Sequence, residues 1–303
     1  MKTTKFQPLW QKAASLPPLT TAVAFPDTNN AVEGALLAAK SGDIIPTFLG
    51  DKINIQKIAQ ELHYDASSYK IIEAAAQEAI SKAIQMARNG EVQLIMKGST
   101  HTDVLMAEVV NSERGLRTSK RMSHCAILDV PTYKKLLLIT DGGLNIAPNL
   151  QTKKSIIQNA IDLAQAIGIT IPKVALLSAV ETVTNKIPST LECAELAKMS
   201  ERGEIQNGVV EGPLSFDLAI SELSVLTKKI TSKVASDADI LVVPNIEAGN
   251  ILLKALEYLA VAENLGLILG AKVPIILTSR AADAKARANS CKLAKLYFHY
   301  IKT

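Results

Sequence analysis

Aromatic side chains are scarce in this 303-residue chain: five Phe, six Tyr and one Trp, 4% in all. That is too few to build the stacking platform on which single-stranded nucleic acid is held. Cysteine is scarcer still. Cys125, Cys193 and Cys291 are odd in number, far apart and without a C-x-x-C pair, which argues against a disulfide framework or a zinc knuckle. A reducing cytoplasm is the expected compartment. No charge of one sign dominates, because 33 Lys and Arg stand against 29 Asp and Glu for a net +4. The cations are scattered, not striped, so duplex DNA is not the expected partner, although a local anion pocket remains open. No apolar run approaches the roughly 18 residues that span a bilayer, and the first twenty residues lack a signal-peptide core. Missing too are G-x-G-x-x-G, G-x-x-x-x-G-K-[ST] and G-x-S-x-G, which removes support for a Rossmann nicotinamide site, a P-loop and a hydrolase elbow.

What is present is alternation. "TAVAFP", "IIPTFLG", "YKIIEA" and "VQLIMKG" are short apolar runs, each followed by a helical pattern. Runs with no polar alternation suit strands covered on both faces, so the expectation is βαβ units and a mainly parallel sheet. Residues 126–143, "AILDVPTYKKLLLITDGG", read as two strands joined by a proline-containing turn, an antiparallel element. Alternation resumes from residue 151. The length suits one large or two ordinary domains. The reading is two α/β lobes: residues 1–131 with 267–303, and residues 132–266.

In open α/β sheets, ligands collect beyond the carboxyl ends of strands. The strand exits read "KGSTHTD", "TDGGLNIAP", "SAVET", "VEGPLSFD", "PNIEAGN" and "TSRAAD". They are rich in small and hydrogen-bonding residues, as helix N-caps also are. Candidate substrate-binding residues at these exits are Lys97, His101, Thr102, Asn245, Gly249 and Asn250. Lys97 supplies a cation or snorkels at a strand end; His101 binds a ligand or belongs to loop packing. Gly249-Asn250 is a poor opening for a helix, and close approach of a ligand or of another backbone would favour glycine there. In "PNIEAGNILLKAL", Glu247, Asn250 and Lys254 are assigned to the solvent face, Ile251, Leu252, Ala255 and Leu256 to the core. Ser279-Arg280 sits where a strand passes into a helix, a place that favours anions and also helix caps.

Taken together, "MKGSTHTDVL", "GLRTSKRMSH", "TDGGLNIAPNLQTKKSIIQNAIDLA", "LSAVETVTNKIPSTLECAELAKMSERG", "EGPLSFDLAIS", "ADILVVPNIEAGNILLKAL" and "GAKVPIILTSRA" resemble the phosphate acetyl/butyryltransferase family, most of all its butyryltransferase-like branch. The resemblance runs from about residue 20 to the end. It implies two lobes of the isocitrate/isopropylmalate dehydrogenase type, an active site in the interlobe cleft and a cytoplasmic homodimer. The implied reaction is acyl-CoA + phosphate ⇌ acyl phosphate + CoA, with coenzyme A as substrate, no tightly bound cofactor and no metal. Ser279 and Arg280 then bind and polarise the acyl phosphate, and Asp283 is the catalytic acid–base candidate. The chemistry needs a thiolate, and donors where charge develops. Arg280 offers a planar fork for phosphate, with Arg117 and Arg121 as further clamps.

The chain departs from the family pattern in three places. Met106 stands where acetyltransferases carry an arginine, and Ala286 where they carry a base aspartate. Butyryl-like members read S-R-A-D; here Ser279-Arg280-Ala281-Ala282-Asp283 displaces the acid by one residue. That shift is what favours a second reading, a non-catalytic protein that binds CoA or acyl phosphate. A third, a metal-dependent decarboxylating dehydrogenase, needs an aspartate cluster and a nicotinamide site that the sequence does not assemble.

Overall fold

The fold is that of a computed structural model, which describes residues 4–277 and 283–302. The chain divides into two compact units, one of residues 7–120 with 265–303, the other of residues up to Phe6 with 121–264.

The first unit runs α1 (Gln7–Ala14), β1 (Leu19–Ala24), α2 (Asn29–Lys40), β2 (Ile44–Gly50), α3 (Lys52–Glu61), β3 (Lys70–Glu73), α4 (Ala76–Arg88), β4 (Leu94–Lys97) and α5 (Thr102–Val109). Its C-terminal elements, numbered in chain order, are β10 (Glu263–Leu269), β11 (Ile275–Ile276) and α11 (Ala284–Lys302). The strand order is β3-β2-β1-β4-β11-β10. All pairs are parallel except β10 with β11. β4 is buried throughout, as the apolar run Leu94–Met96 requires, and its last residue, Lys97, is buried with it. α4 buries Ala79, Ile80, Ala83, Ile84 and Ala87, one stripe at helical spacing. Asp51 starts α3 by accepting the Asn54 N–H at 2.9 Å.

The second unit runs β5 (Ser123–Asp129), β6 (Leu137–Thr140), α6 (Leu150–Ala166), β7 (Lys173–Leu177), α7 (Pro188–Glu201), β8 (Val209–Leu214), α8 (Phe216–Ile220), α9 (Glu222–Lys228), β9 (Ile240–Val242) and α10 (Ile246–Tyr258). The order is β5-β6-β9-β7-β8; β5 and β6 are antiparallel, the others parallel. Alternate strand residues, among them Leu128, Ile139, Leu177 and Leu241, form one core cluster with Val243 just after β9, Leu218 of α8, Val225 of α9 and Leu252, Leu253 and Leu256 of α10. α6 and α7 touch the same strands but add nothing to that cluster, so they cover the opposite face.

The observed units differ from the expected boundary. β5 goes with the second unit because it pairs with β6 from Cys125 to Leu128. The chain's start follows it: Lys5 binds the Asp129 carboxylate through its backbone N–H and its ammonium, and Thr4 donates to the same group. Two smaller readings are corrected. "VEGP" belongs to β8 itself, which continues to Leu214. Ile251 is 68% exposed and shares the outward face of α10, not its core face.

Candidate active site

In the first unit, β11 lies parallel to β4 with Ile276 beside Met96, so both strands finish at one edge. Lys97, the last residue of β4, is 1% exposed. Its ammonium donates to the carbonyls of Gly98 (3.3 Å) and Thr100 (3.0 Å). The group neither snorkels into solvent nor stands open to a ligand; it ties down the loop that leads to α5. Arg287 of α11 reaches the same place, donating from a guanidinium nitrogen to the Lys97 carbonyl at 3.3 Å. α2 makes room for it with Gly34, where a Cβ would lie 2.7 Å from that of Arg287.

His101 occupies the N-cap position of α5 without a side-chain capping bond, and Thr102 opens the helix; both are exposed. Arg117 is exposed on the segment after α5, anchored where the Lys272 N–H donates to the Leu116 carbonyl. Asp283 is exposed just before α11, and its Oδ1 accepts the Ala286 N–H at 2.7 Å. It therefore caps the helix from outside and does not sit within its first turn. Ser279 and Arg280 lie outside the described residues.

The second unit gathers the other candidates around residues 141–145. Asp141 follows β6 and is 3% exposed. Its Oδ1 accepts N–H groups from Gly143 and Leu144, both at 2.9 Å. Its Oδ2 accepts from Asn145 Nδ2 (2.7 Å), the Asn145 N–H (3.3 Å) and the His124 N–H (3.1 Å). Five donors make burial of the carboxylate tolerable and fix the loop. Gly142 and Gly249 pack backbone to backbone, so the glycine in the first turn of α10 serves another backbone and not, by itself, a ligand. Asn250 donates to the Gly142 carbonyl at 3.3 Å. Asn245 caps α10 by accepting the Ala248 N–H at 2.9 Å. Arg121 donates through Nε to Asn145 Oδ1 at 3.2 Å and borders a cavity of about 440 Å³, together with Asn149 and Thr152 at the start of α6.

Asp141, His124 and Asn145 were not singled out from the sequence. The Asp-Gly-Gly turn is the available signal, but the donor from His124 arrives from a different strand. His124 packs its ring on Gly143, and its Nδ1 is buried with no hydrogen-bond partner among the described residues. Burial pushes its pKa down, against the opposing attraction of Asp141. The imidazole is accordingly held toward its neutral form.

The family pattern described as phosphate acetyl/butaryl transferase matches residues 45–294. The chain belongs to the phosphate acetyl/butyryltransferase family. It is an acyltransferase whose family acts on acyl-CoA and phosphate. It is 48% identical to a phosphate acetyltransferase of Rhizobium meliloti, over 97% of this chain and 93% of that protein. It is 38% identical to a phosphate butyryltransferase of Clostridium acetobutylicum, over 96% and 97% respectively. Among solved structures, a branched-chain phosphotransacylase from Enterococcus faecalis V583 superposes with a TM-score of 0.80 at 32% identity, covering 93% of this chain and 99% of that one. The mixed α/β, mostly parallel construction of this phosphate acyltransferase is that of its solved relatives. Among the described residues no helix is long and apolar enough to cross a membrane.

Proposed function

We propose that this acyltransferase moves an acetyl group between CoA and phosphate as its preferred reaction, in the cytoplasm and as a homodimer, on two lobes of the isocitrate/isopropylmalate dehydrogenase type. The observation that carries the choice of acyl group is the higher identity, over nearly the whole chain, to a protein named phosphate acetyltransferase than to one named butyryltransferase. This departs from the butyryltransferase-like expectation of the sequence motifs.

The CoA thiolate attacks the carbonyl carbon of acetyl phosphate; charge collects on the carbonyl oxygen, and phosphate leaves as the thioester forms. In this reading Arg280 holds the phosphate as a bidentate fork and Ser279 donates to the polarised oxygen. Asp283 takes the thiol proton. Arg117 and Arg121, both exposed, meet phosphate groups of the substrates. His101, Thr102, Asn245 and Asn250 supply neutral donors and acceptors. Lys97 and Gly249 act through the loops they hold, 98–101 and 141–143.

The test is CoA release from acetyl-, propionyl- and butyryl-CoA with phosphate. The expected order in kcat/KM is acetyl, then propionyl, then butyryl. A butyryl preference overturns the choice of acyl group. Binding of CoA without turnover of any of the three would favour the non-catalytic alternative.

A further inference from the structure

A cavity of about 520 Å³ lies within the first unit, at the edge of its sheet where β4 and β11 begin. Lys97 is at the far end of β4, so the cavity faces away from the candidate site. Val92 and Val273, which lead into the two strands, and Phe298 of α11 give it a buried apolar wall.

Around that wall the charge is all of one sign. Arg88 is the last residue of α4, Lys302 the last of α11, and Lys272 comes from the turn between β10 and β11. Lys272 donates to the Arg88 carbonyl at 3.3 Å, and the Lys302 ammonium lies 5.8 Å from the centre of the Phe298 ring. None of the three cations has a carboxylate partner among the described residues. No aspartate or glutamate lines the cavity; Glu91, next to it in sequence, accepts from the Asn89 side chain at 2.9 Å. Gln93 is half-buried in the lining, and its Oε1 accepts the Thr20 N–H at 3.2 Å. With the oxygen committed, what Gln93 has left to offer is its Nε2 protons, which have no partner among the described residues.

Helix dipoles explain part of this arrangement, since cations favour helix C-termini and satisfy their carbonyls. They do not require two helix ends to share one cavity with an apolar wall and an unpartnered amide. Cations gathered round one opening repel each other, and an anion set among them removes that repulsion. The volume is that of a small-molecule site. Its chemistry asks for a ligand with a flat apolar body, an acceptor at the edge of that body, and a multiply charged anionic end.

We propose that this cavity binds a nucleoside phosphate, its base against Val92, Val273 and Phe298, an acceptor of the base on Gln93, and its phosphate among Arg88, Lys272 and Lys302. The site is separate from the one assigned to acyl transfer. Arg117, whose neighbour Leu116 accepts the Lys272 N–H, does not line it.

Isothermal titration calorimetry on the purified full chain tests this with AMP as the probe, beside ribose 5-phosphate, which lacks the base, and adenosine, which lacks the phosphate. AMP should bind at least about tenfold more tightly than either fragment. Arg88→Glu and Lys302→Glu, on different helices, should each weaken AMP at least about tenfold, the scale of one charge-assisted contact. Gln93→Glu keeps an acceptor for Thr20 but loses the amide donors, and should weaken AMP as much. All three variants should keep the wild-type circular dichroism and the wild-type KM for CoA. No binding of AMP at millimolar concentration overturns the proposal. Equal binding of ribose 5-phosphate removes the base from the site, and equal binding of adenosine removes the phosphate; either overturns it. So does AMP binding that survives both charge reversals and competes with CoA, since the nucleotide is then in the acyl-transfer site. The two readings fail separately: a chain without acyl transfer that binds AMP in the expected pattern keeps this site, and an active chain that does not bind AMP loses this site alone.

Discussion

A Cβ built on Gly249 would lie 2.8 Å from the Cα of Gly142 and 2.9 Å from the Asp141 carbonyl oxygen. Neither neighbour is a flexible side-chain tip, so the backbone itself would have to move. Alanine is worth about 1 kcal/mol more than glycine in a helix, but overpacking a closed contact costs about 1–3 kcal/mol. Overpacking wins. Gly249→Ala should lower stability by about 1–2 kcal/mol in urea unfolding. Because the displaced segment is the Asp141 loop, kcat/KM should fall by more than the residual folded fraction explains. A variant as stable and as active as the wild type would remove the loop from the site.

His124 gives a pH signature. Its folded-state pKa lies below the ordinary value of about 6.5, with burial the larger cause and Asp141 opposing it. As pH falls below about 6.5, the unfolded chain takes up the proton before the folded one does. The folded state therefore loses stability on acidification, and the contribution is fully present only above the unfolded value. His124→Gln removes the titrating group. Urea unfolding at about pH 7.5 and pH 5.5 should show the wild type losing more stability between the two than the variant does. Parallel losses would show that His124 titrates alike in both states.

How much of this was legible follows from range. β4 and the β5–β6 hairpin are local patterns, apolar runs bounded by turn residues, and the sequence displays both. The glycine at 249 was legible as a close approach, but not as an approach by Gly142, more than a hundred residues away. Asp141 was hidden for the same reason: its turn is local, but His124 and the buried position that make it a hub are tertiary. Lys97 shows the limit of analogy with strand-end lysines, because only the fold reveals that Gly98 and Thr100 carbonyls surround its ammonium. Ile251 was assigned inward since it is apolar; α10 turns it out. The two-unit boundary shifted because pairing of β5 with β6, not the proline turn between them, decides where β5 belongs.

Arg280 is a prediction from chemistry and resemblance. If its guanidinium grips the transferring phosphate, Arg280→Ala should lower kcat by about 10²–10³, the range for loss of one donor aimed at developing charge. Arg280→Lys should recover only part, since a point charge replaces a fork. Steady-state rates at saturating CoA decide the matter, and an alanine variant within a few-fold of wild type would return Arg280 to the solvated surface.

Asp283 caps a helix, and one substitution can separate that role from the proton-acceptor role proposed for it. Its Oδ1 accepts the Ala286 N–H at 2.7 Å, the geometry of a helix cap. Asparagine caps as well as aspartate does, whereas alanine costs about 1 kcal/mol at such a position. Asp283→Asn should therefore unfold at the wild-type urea concentration, and Asp283→Ala earlier. As a proton acceptor, asparagine is useless. A thiol with a pKa of about 8.5 is only a few per cent thiolate at neutral pH, so loss of the acceptor should cut turnover about a hundredfold. The rate of Asp283→Asn should then climb with pH toward that thiol value as solvent generates thiolate, while the wild type stays flatter. If Asp283→Asn keeps both the stability and the rate of the wild type, the carboxylate is a cap alone, and cations at the site must lower the thiol's own pKa.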